Sequence, residues 1–185
     1  MIKDLIIVKD AVPLSLLDQL RNQAEISREW AIDVPVNFAF KDRFPKISLV
    51  DGAPKSPAVS AMFGLAWGML ALVREKCPEF KLDVYYAGIS VKDRHREDNI
   101  HVDHEADLKD IHVVKVLGIL NTDWKEDWGG GFHWNGKDYY APPGSFYVFN
   151  PRIKHGACDI HTDEKRLAVD FAVESTTKKI VKCPY

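Results

Sequence analysis

From Pro78 onward the chain runs in short stretches rich in β-branched and aromatic residues, each closed off by Gly, Pro, Asn or Asp. They are Val84 to Val91, Val113 to Leu120, Ser145 to Phe149 and Leu167 to Val173. Side chains of this kind pack well on a pleated surface, and the punctuating residues favour turns. Asn135-Gly136 and Pro142-Pro143-Gly144 mark tight reversals between the runs. Before Pro78 the texture differs. After a short strand-like run, Leu5 to Val8, the residues Leu14, Leu16, Leu17, Leu20 and Ala24 recur at helical spacing behind Pro13. Trp30 to Lys55 reads as strand pieces joined by loops. Helices followed by strands predict an α+β chain with a mainly β core, the helices packed on one face of an antiparallel sheet.

Pro57 to Val73 is an apolar segment of about 17 residues, at the short edge of what crosses a bilayer. Ser56-Pro57 supplies a helix start, and Arg74-Glu75-Lys76 before Pro78 supplies a stop. The expectation is a helix buried inside a globular protein rather than a membrane span. The N-terminus predicts no secretory leader. With 185 residues, 46% hydrophobic and 28% charged, the chain is expected to form one globular domain, 1–185, with helical support over roughly 1–80 and the β core over roughly 81–175. A net charge of -2 without a dense basic run speaks against an extended nucleic-acid surface. Cys77, Cys158 and Cys183 are too scattered for a disulfide framework or a zinc finger, so a cytoplasmic setting is the default.

All seven histidines fall between His95 and His161. Within that span, Ile100-His101-Val102-Asp103 sets an imidazole and a carboxylate two residues apart. In extended backbone such residues project to the same side and can reach one ion. A third ligand must come from a distant strand. His155, just past the apolar run Phe146 to Phe149, is the best candidate. Two imidazoles and one carboxylate on one face leave the opposite face of a metal open, the arrangement used by non-haem Fe(II) oxygenases. Arg166, eleven positions after His155, opens the last strand, where its planar fork could hold a carboxylate through two parallel hydrogen bonds. Taken alone, each of these has a blander reading. His101 and Asp103 could be a solvated turn, and His155 a capped surface residue. His104 with Asp107 has helical spacing and is expected outside the ligand set. His95, His112, His133 and His161 are expected to be structural or exposed, and Trp124, Trp128 and Trp134 to be packing residues. Gly129-Gly130-Gly131 is expected to form a sharp turn rather than a phosphate loop.

The order His-x-Asp, then Gly118 to Gly131 with its Trp-Gly-Gly, then Pro143 to Phe146, then Phe149 to His155, then Arg166 resembles the 2-oxoglutarate- and Fe(II)-dependent oxygenases, in their prolyl 4-hydroxylase-like branch. The resemblance covers Tyr85 to Val173, about half the chain. It implies a double-stranded β-helix, or jelly-roll. It implies that His101, Asp103 and His155 bind Fe(II) and that Arg166 binds the C5 carboxylate of 2-oxoglutarate, with O2 as oxidant and ascorbate as a supporting reductant. It implies a Tyr near the cosubstrate, a role open to Tyr86 or Tyr85. The implied reaction hydroxylates a C–H bond of a small-molecule or peptidyl, possibly prolyl, substrate and releases succinate and CO2. The polar stretch Lys92 to Asn99 is expected to be a lid or substrate loop. The competing readings are a cupin-like metal-binding module, a zinc-dependent hydrolase using the same ligands and an inactive structural domain. Arg166 argues against the first, the lack of a well-placed Glu base against the second, and the intact ligand set against the third.

Overall fold

The computed structural model describes residues 4–33, 44–53, 55–96, 98–103 and 112–176. His104, Asp107 and Cys183 lie outside them. Strand β1 (Ile6–Val8) is followed by helix α1 (Leu14–Glu25), strands β2 (Ala31–Asp33) and β3 (Phe44–Val50), and helix α2 (Pro57–Lys76). The strands β4 (Phe80–Lys92), β5 (Val113–Ile119), β6 (Phe132–Trp134), β7 (Lys137–Tyr139), β8 (Phe146–Phe149), β9 (His155–Ala157) and β10 (Arg166–Ser175) then follow. They form a seven-stranded sheet in the order β1-β8-β5-β10-β4-β3-β2 and a three-stranded sheet in the order β7-β6-β9, all pairs antiparallel. A bridge between His101 and His155 adds a further extended segment beside β9. From β4 onward the chain passes back and forth between the two sheets, and this alternation makes the jelly-roll.

The period-2 pattern of the strands decides what each face does. In β10, Leu167, Val169, Phe171 and Val173 join the core under the helices. Arg166, Ala168, Asp170 and Ala172 therefore face the opposite way, into the space between the sheets. In β5, Val114 and Val116 belong to the helix-side core, so Lys115 and Leu117 face inward. Tyr147 and Phe149 of β8 pack inward with Phe132 and Trp134 of β6 in a second, smaller apolar cluster. The helices cover the outer face of the large sheet. α1 buries Leu17, Leu20 and Ala24. α2 is capped by Ser56, whose Oγ accepts from the Val59 N–H at 3.3 Å, with Pro57 in its first turn.

α2 packs against the protein as expected, but along one face only. Val59, Met62, Ala66, Met69, Leu70 and Val73 form one buried face, while Trp67 on the other is 42% exposed. Its 20 residues are long and apolar enough to cross a membrane by length and composition, yet one face packs on α1, β3 and β4.

The turn residues act as their chemistry requires. Asn135 and Gly136 both have positive φ (49° and 81°), the pair of angles a two-residue hairpin turn between β6 and β7 needs. Gly144 (φ 86°) follows Pro143, and the Ser145 N–H donates to the Pro142 carbonyl at 3.1 Å, closing a type II turn. Gly118 has a different reason to be glycine. It pairs with Phe146 across β5 and β8, and a Cβ there would overlap the Phe146 ring. Gly118→Ala is expected to cost about 1–3 kcal/mol through overpacking. For a chain of this size that is a fall of about 2–4 °C in Tm per kcal/mol, readable by thermal denaturation. An unchanged Tm would mean that the ring moves freely aside.

Candidate metal and dicarboxylate site

His101 and His155 are brought together by backbone pairing. The His101 N–H donates to the His155 carbonyl at 2.9 Å, and the His155 N–H returns the bond at 2.8 Å. Two residues on, the Asp103 N–H donates to the Pro151 carbonyl at 2.9 Å, which fixes the carboxylate beside the same strand end. The ring centroids of His101 and His155 lie 4.6 Å apart. Asp103 Oδ1 is 3.4 Å from His101 Nε2 and 3.6 Å from His155 Nε2. One ligand atom from each residue thus lies within 4.8 Å of the others, as a single ion requires.

The tautomers fit the same purpose. His101 Nδ1 is 2.8 Å from the Asn99 carbonyl, and His155 Nδ1 is 2.8 Å from the Ile153 carbonyl. A carbonyl oxygen only accepts, so each Nδ1 donates to it and each Nε2 is the nitrogen turned toward Asp103. Asp103 is held well below the ordinary carboxylate range; burial opposes this, and Lys115 with the two imidazoles outweighs it. Burial lowers His155. Burial pulls His101 the same way, but Asp103 and the Asn99 carbonyl raise it overall. His155 is packed against Phe149 (4.8 Å between ring centroids), which in turn contacts Phe132 at 4.7 Å. The site therefore has an apolar wall on the β8 side, and opens where His101 and Asp103 are only half-buried.

Across the interior, Arg166 is buried at the start of β10, directly opposite Lys92 of β4. Its Nη1 donates to the carbonyls of Gly130 and Gly131. Those oxygens are aimed by the turn anticipated at Gly129-Gly130-Gly131, where Gly129 and Gly130 have φ of 71° and 66° and Trp124 Nε1 donates to the Gly129 carbonyl at 3.0 Å. Arg166 Nε is buried with no hydrogen-bond partner among the described residues. Burial pulls the guanidinium pKa down to about 10, so it remains a cation at neutral pH. Asp98 is the carboxylate that most favours this charge, and it already pairs with Lys92 (2.9 Å) and Arg96 (2.7 Å). Among the described residues, Lys92, Arg96 and Arg166 thus lie around the Asp98 carboxylate, a cationic setting that suits an anionic ligand.

No family model matches the chain, and no curated protein matches it. Among solved structures, a prolyl-4-hydroxylase from Pseudomonas putida is similar at a TM-score of 0.62, with 14% identity over 92% of this chain and 92% of that one. A Trichoplax adhaerens prolyl hydroxylase, solved with a hypoxia inducible factor peptide fragment, is similar at 0.62, with 15% identity over 92% and 83%. HygX from Streptomyces hygroscopicus, solved with nickel and 2-oxoglutarate, is similar at 0.57, with 14% identity over 93% and 83%. The chain has the fold of the 2-oxoglutarate–Fe(II) oxygenases. Within that oxygenase fold, the anticipated ligands His101, Asp103 and His155 converge, and Arg166 faces the interior as the strand alternation required.

Of the two tyrosines left open, Tyr86 lies inside. The ammonium groups of Lys46 and Lys115 lie 4.6 Å and 4.9 Å from its ring centroid, and the ring covers Gly88, where a Cβ would collide with its hydroxyl. Burial and the nearby Asp170 raise its pKa. Tyr85 instead reaches Glu174 at 3.3 Å. In the charged stretch after β4, anticipated as a lid or substrate loop, Arg96 Nη1 donates to the Val91 carbonyl at 2.7 Å and the Lys92 and Asp98 side chains are buried, since charges in a loop can point inward when a partner is there. His133 pairs with Asp138, and His95 and His161 are exposed, all away from the three converging ligands. Trp124 and Trp134 are buried, as expected of packing residues. Burial pushes Cys77 and Cys158 up to about 12 and 11, so both thiols stay protonated and inert.

Sequence reasoning missed Lys115 and Asp170. Lys115 Nζ lies 2.7 Å from Asp170 Oδ2 and 3.7 Å from Asp103 Oδ2. Burial opposes its charge, but the two carboxylates raise its pKa overall. A signal was available: each is a charge in the middle of an otherwise apolar strand, and such residues are rarely buried unless paired.

Proposed function

We propose that the protein is an Fe(II)- and 2-oxoglutarate-dependent dioxygenase that hydroxylates a C–H bond of a small-molecule or peptidyl substrate, with release of succinate and CO2. The observation that carries this reading is the convergence of His101 Nε2, Asp103 Oδ1 and His155 Nε2 on one point, with both Nδ1 atoms committed to backbone carbonyls. Two nitrogens and one carboxylate oxygen suit a ferrous ion with open positions. The buried cationic Arg166, with its Nε unpartnered, suits the far carboxylate of 2-oxoglutarate.

In this reading His101, Asp103 and His155 hold the iron. Arg166 anchors the cosubstrate and orients its 2-oxo end toward them. Tyr86, inside and covering Gly88 beside Lys115, would lie near the cosubstrate. Phe132, Tyr147 and Phe149 keep water from the β8 side. The bound iron and 2-oxoglutarate supply the activation of O2 needed to break a C–H bond. The Trichoplax adhaerens prolyl hydroxylase was solved with a peptide fragment and HygX with hygromycin B, which supports both a peptidyl and a small-molecule substrate class.

The test is a screen of prolyl peptides and small metabolites with the Fe(II)-loaded protein, reading succinate. A substrate is expected to raise succinate release in step with 2-oxoglutarate consumption, and replacing iron by zinc is expected to abolish it. Zinc-supported turnover without 2-oxoglutarate would refute the oxygenase reading in favour of a hydrolase.

A further inference from the structure

The two oxygens of Asp103 face different neighbours. Oδ1 is within 3.4 Å and 3.6 Å of the two imidazole Nε2 atoms, while Oδ2 is 3.7 Å from Lys115 Nζ. Lys115 is itself fixed. Asp170 Oδ2 holds its ammonium at 2.7 Å, and the Tyr86 ring lies 4.9 Å beneath it. Strand pairing sets this up, because Lys115 stands opposite Ala172 and Asp170 opposite Leu117 on adjacent strands, which makes the two charges diagonal neighbours on the interior face.

We infer that Lys115 is a positioning residue that keeps Asp103 a one-oxygen metal ligand. The terminal torsion of an Asp carboxylate is broad and two-fold, so nothing in the side chain itself prevents both oxygens from turning to one cation. An ammonium 3.7 Å from one oxygen, too far for a hydrogen bond, biases that torsion by charge, because it draws Oδ2 toward itself and away from the imidazoles. The consequence rests on the oxygenase reading. An ion held by two imidazoles and one carboxylate oxygen would keep more room for 2-oxoglutarate and O2 than one held by both oxygens. Lys115 would thus preserve room for the cosubstrate, and Asp170 and Tyr86 keep Lys115 in place.

The test uses Co(II) in place of iron, with absorption reporting coordination number and a titration reporting 2-oxoglutarate affinity. The variants are Lys115→Met, Lys115→Met with Asp170→Asn to preserve local charge balance, and Lys115→Arg. The double variant is expected to retain Co(II) binding but to change the cobalt spectrum before any 2-oxoglutarate is added. Its 2-oxoglutarate affinity is expected to fall by at least about tenfold, the scale for losing a group that orients a ligand. Lys115→Arg is expected to restore both. A double variant with the wild-type spectrum and wild-type 2-oxoglutarate affinity would overturn the assignment while leaving the oxygenase reading intact. An Arg variant as impaired as the Met variant would also overturn it, since only packing would then be at stake. A wild-type protein that binds neither Co(II) nor 2-oxoglutarate would remove the oxygenase reading and this inference with it.

Discussion

Asp103→Ala is expected to weaken Fe(II) binding by more than about 100-fold, since removing groups that merely orient a ligand already costs about 10–100-fold. The substitution takes away the only anionic donor of the three converging ligands and leaves two imidazoles 4.6 Å apart beside the Lys115 ammonium. A dication would then meet neutral donors and a nearby positive charge. The fold should survive, because Asp103 is held through its backbone N–H on the Pro151 carbonyl, which alanine keeps. Lys115 also retains Asp170 at 2.7 Å. Metal titration alongside thermal denaturation separates the two effects. Lost metal binding with a nearly unchanged Tm is the expected pair, and retained metal affinity would exclude Asp103 as a ligand.

Arg166→Met should leave metal affinity close to wild type and weaken 2-oxoglutarate binding by about 3 kcal/mol or more, which is over about 100-fold in Kd. The estimate takes two charged hydrogen bonds from the guanidinium fork to the far carboxylate, each worth about 1.5–3 kcal/mol. The same change removes the Arg166 donor from the Gly130 carbonyl, while the Gly131 carbonyl keeps the Cys158 N–H at 3.0 Å, so some loss of stability accompanies it. Arg166→Lys controls for that charge, since lysine keeps the cation but loses the planar fork. Calorimetric titration of 2-oxoglutarate into the metal-loaded variants reads the result. An Arg166→Met protein with unchanged cosubstrate affinity would move the anchor elsewhere, with Lys92, directly across the strand pair, as the next residue to test.

The parts of the site set by local alternation were legible in the sequence. His101 and Asp103 follow from two-residue spacing, and Arg166 faces inward because Leu167, Val169, Phe171 and Val173 face the helices. His155 was legible as a residue just beyond an apolar strand, although its bridge to His101 is a long-range pairing that no local pattern encodes. The triple-glycine turn was anticipated as a turn. Its use of two carbonyls to hold Arg166 was not, because backbone oxygens leave no mark on the sequence. Lys115 and Asp170 were visible as charges in apolar strands, but their pairing depends on the β5–β10 register, which is fixed only by the assembled sheet. The Lys92-Asp98-Arg96 cluster was read as a polar loop for the same reason: a charge run looks solvated until a buried partner is known. For α2, composition overstated burial, since nearly uniform apolarity cannot say which face the sheet will cover.

The central claim is that three side chains hold a ferrous ion next to a cationic anchor for a dicarboxylate. The most direct measurement is the visible spectrum of the anaerobic Fe(II)-loaded protein as 2-oxoglutarate is added. A weak metal-to-ligand absorption band should grow to saturation in the wild-type protein and be missing from Asp103→Ala at the same iron concentration. Iron-loaded wild-type protein that shows no band at saturating 2-oxoglutarate, or an equal band without Asp103, would contradict the account.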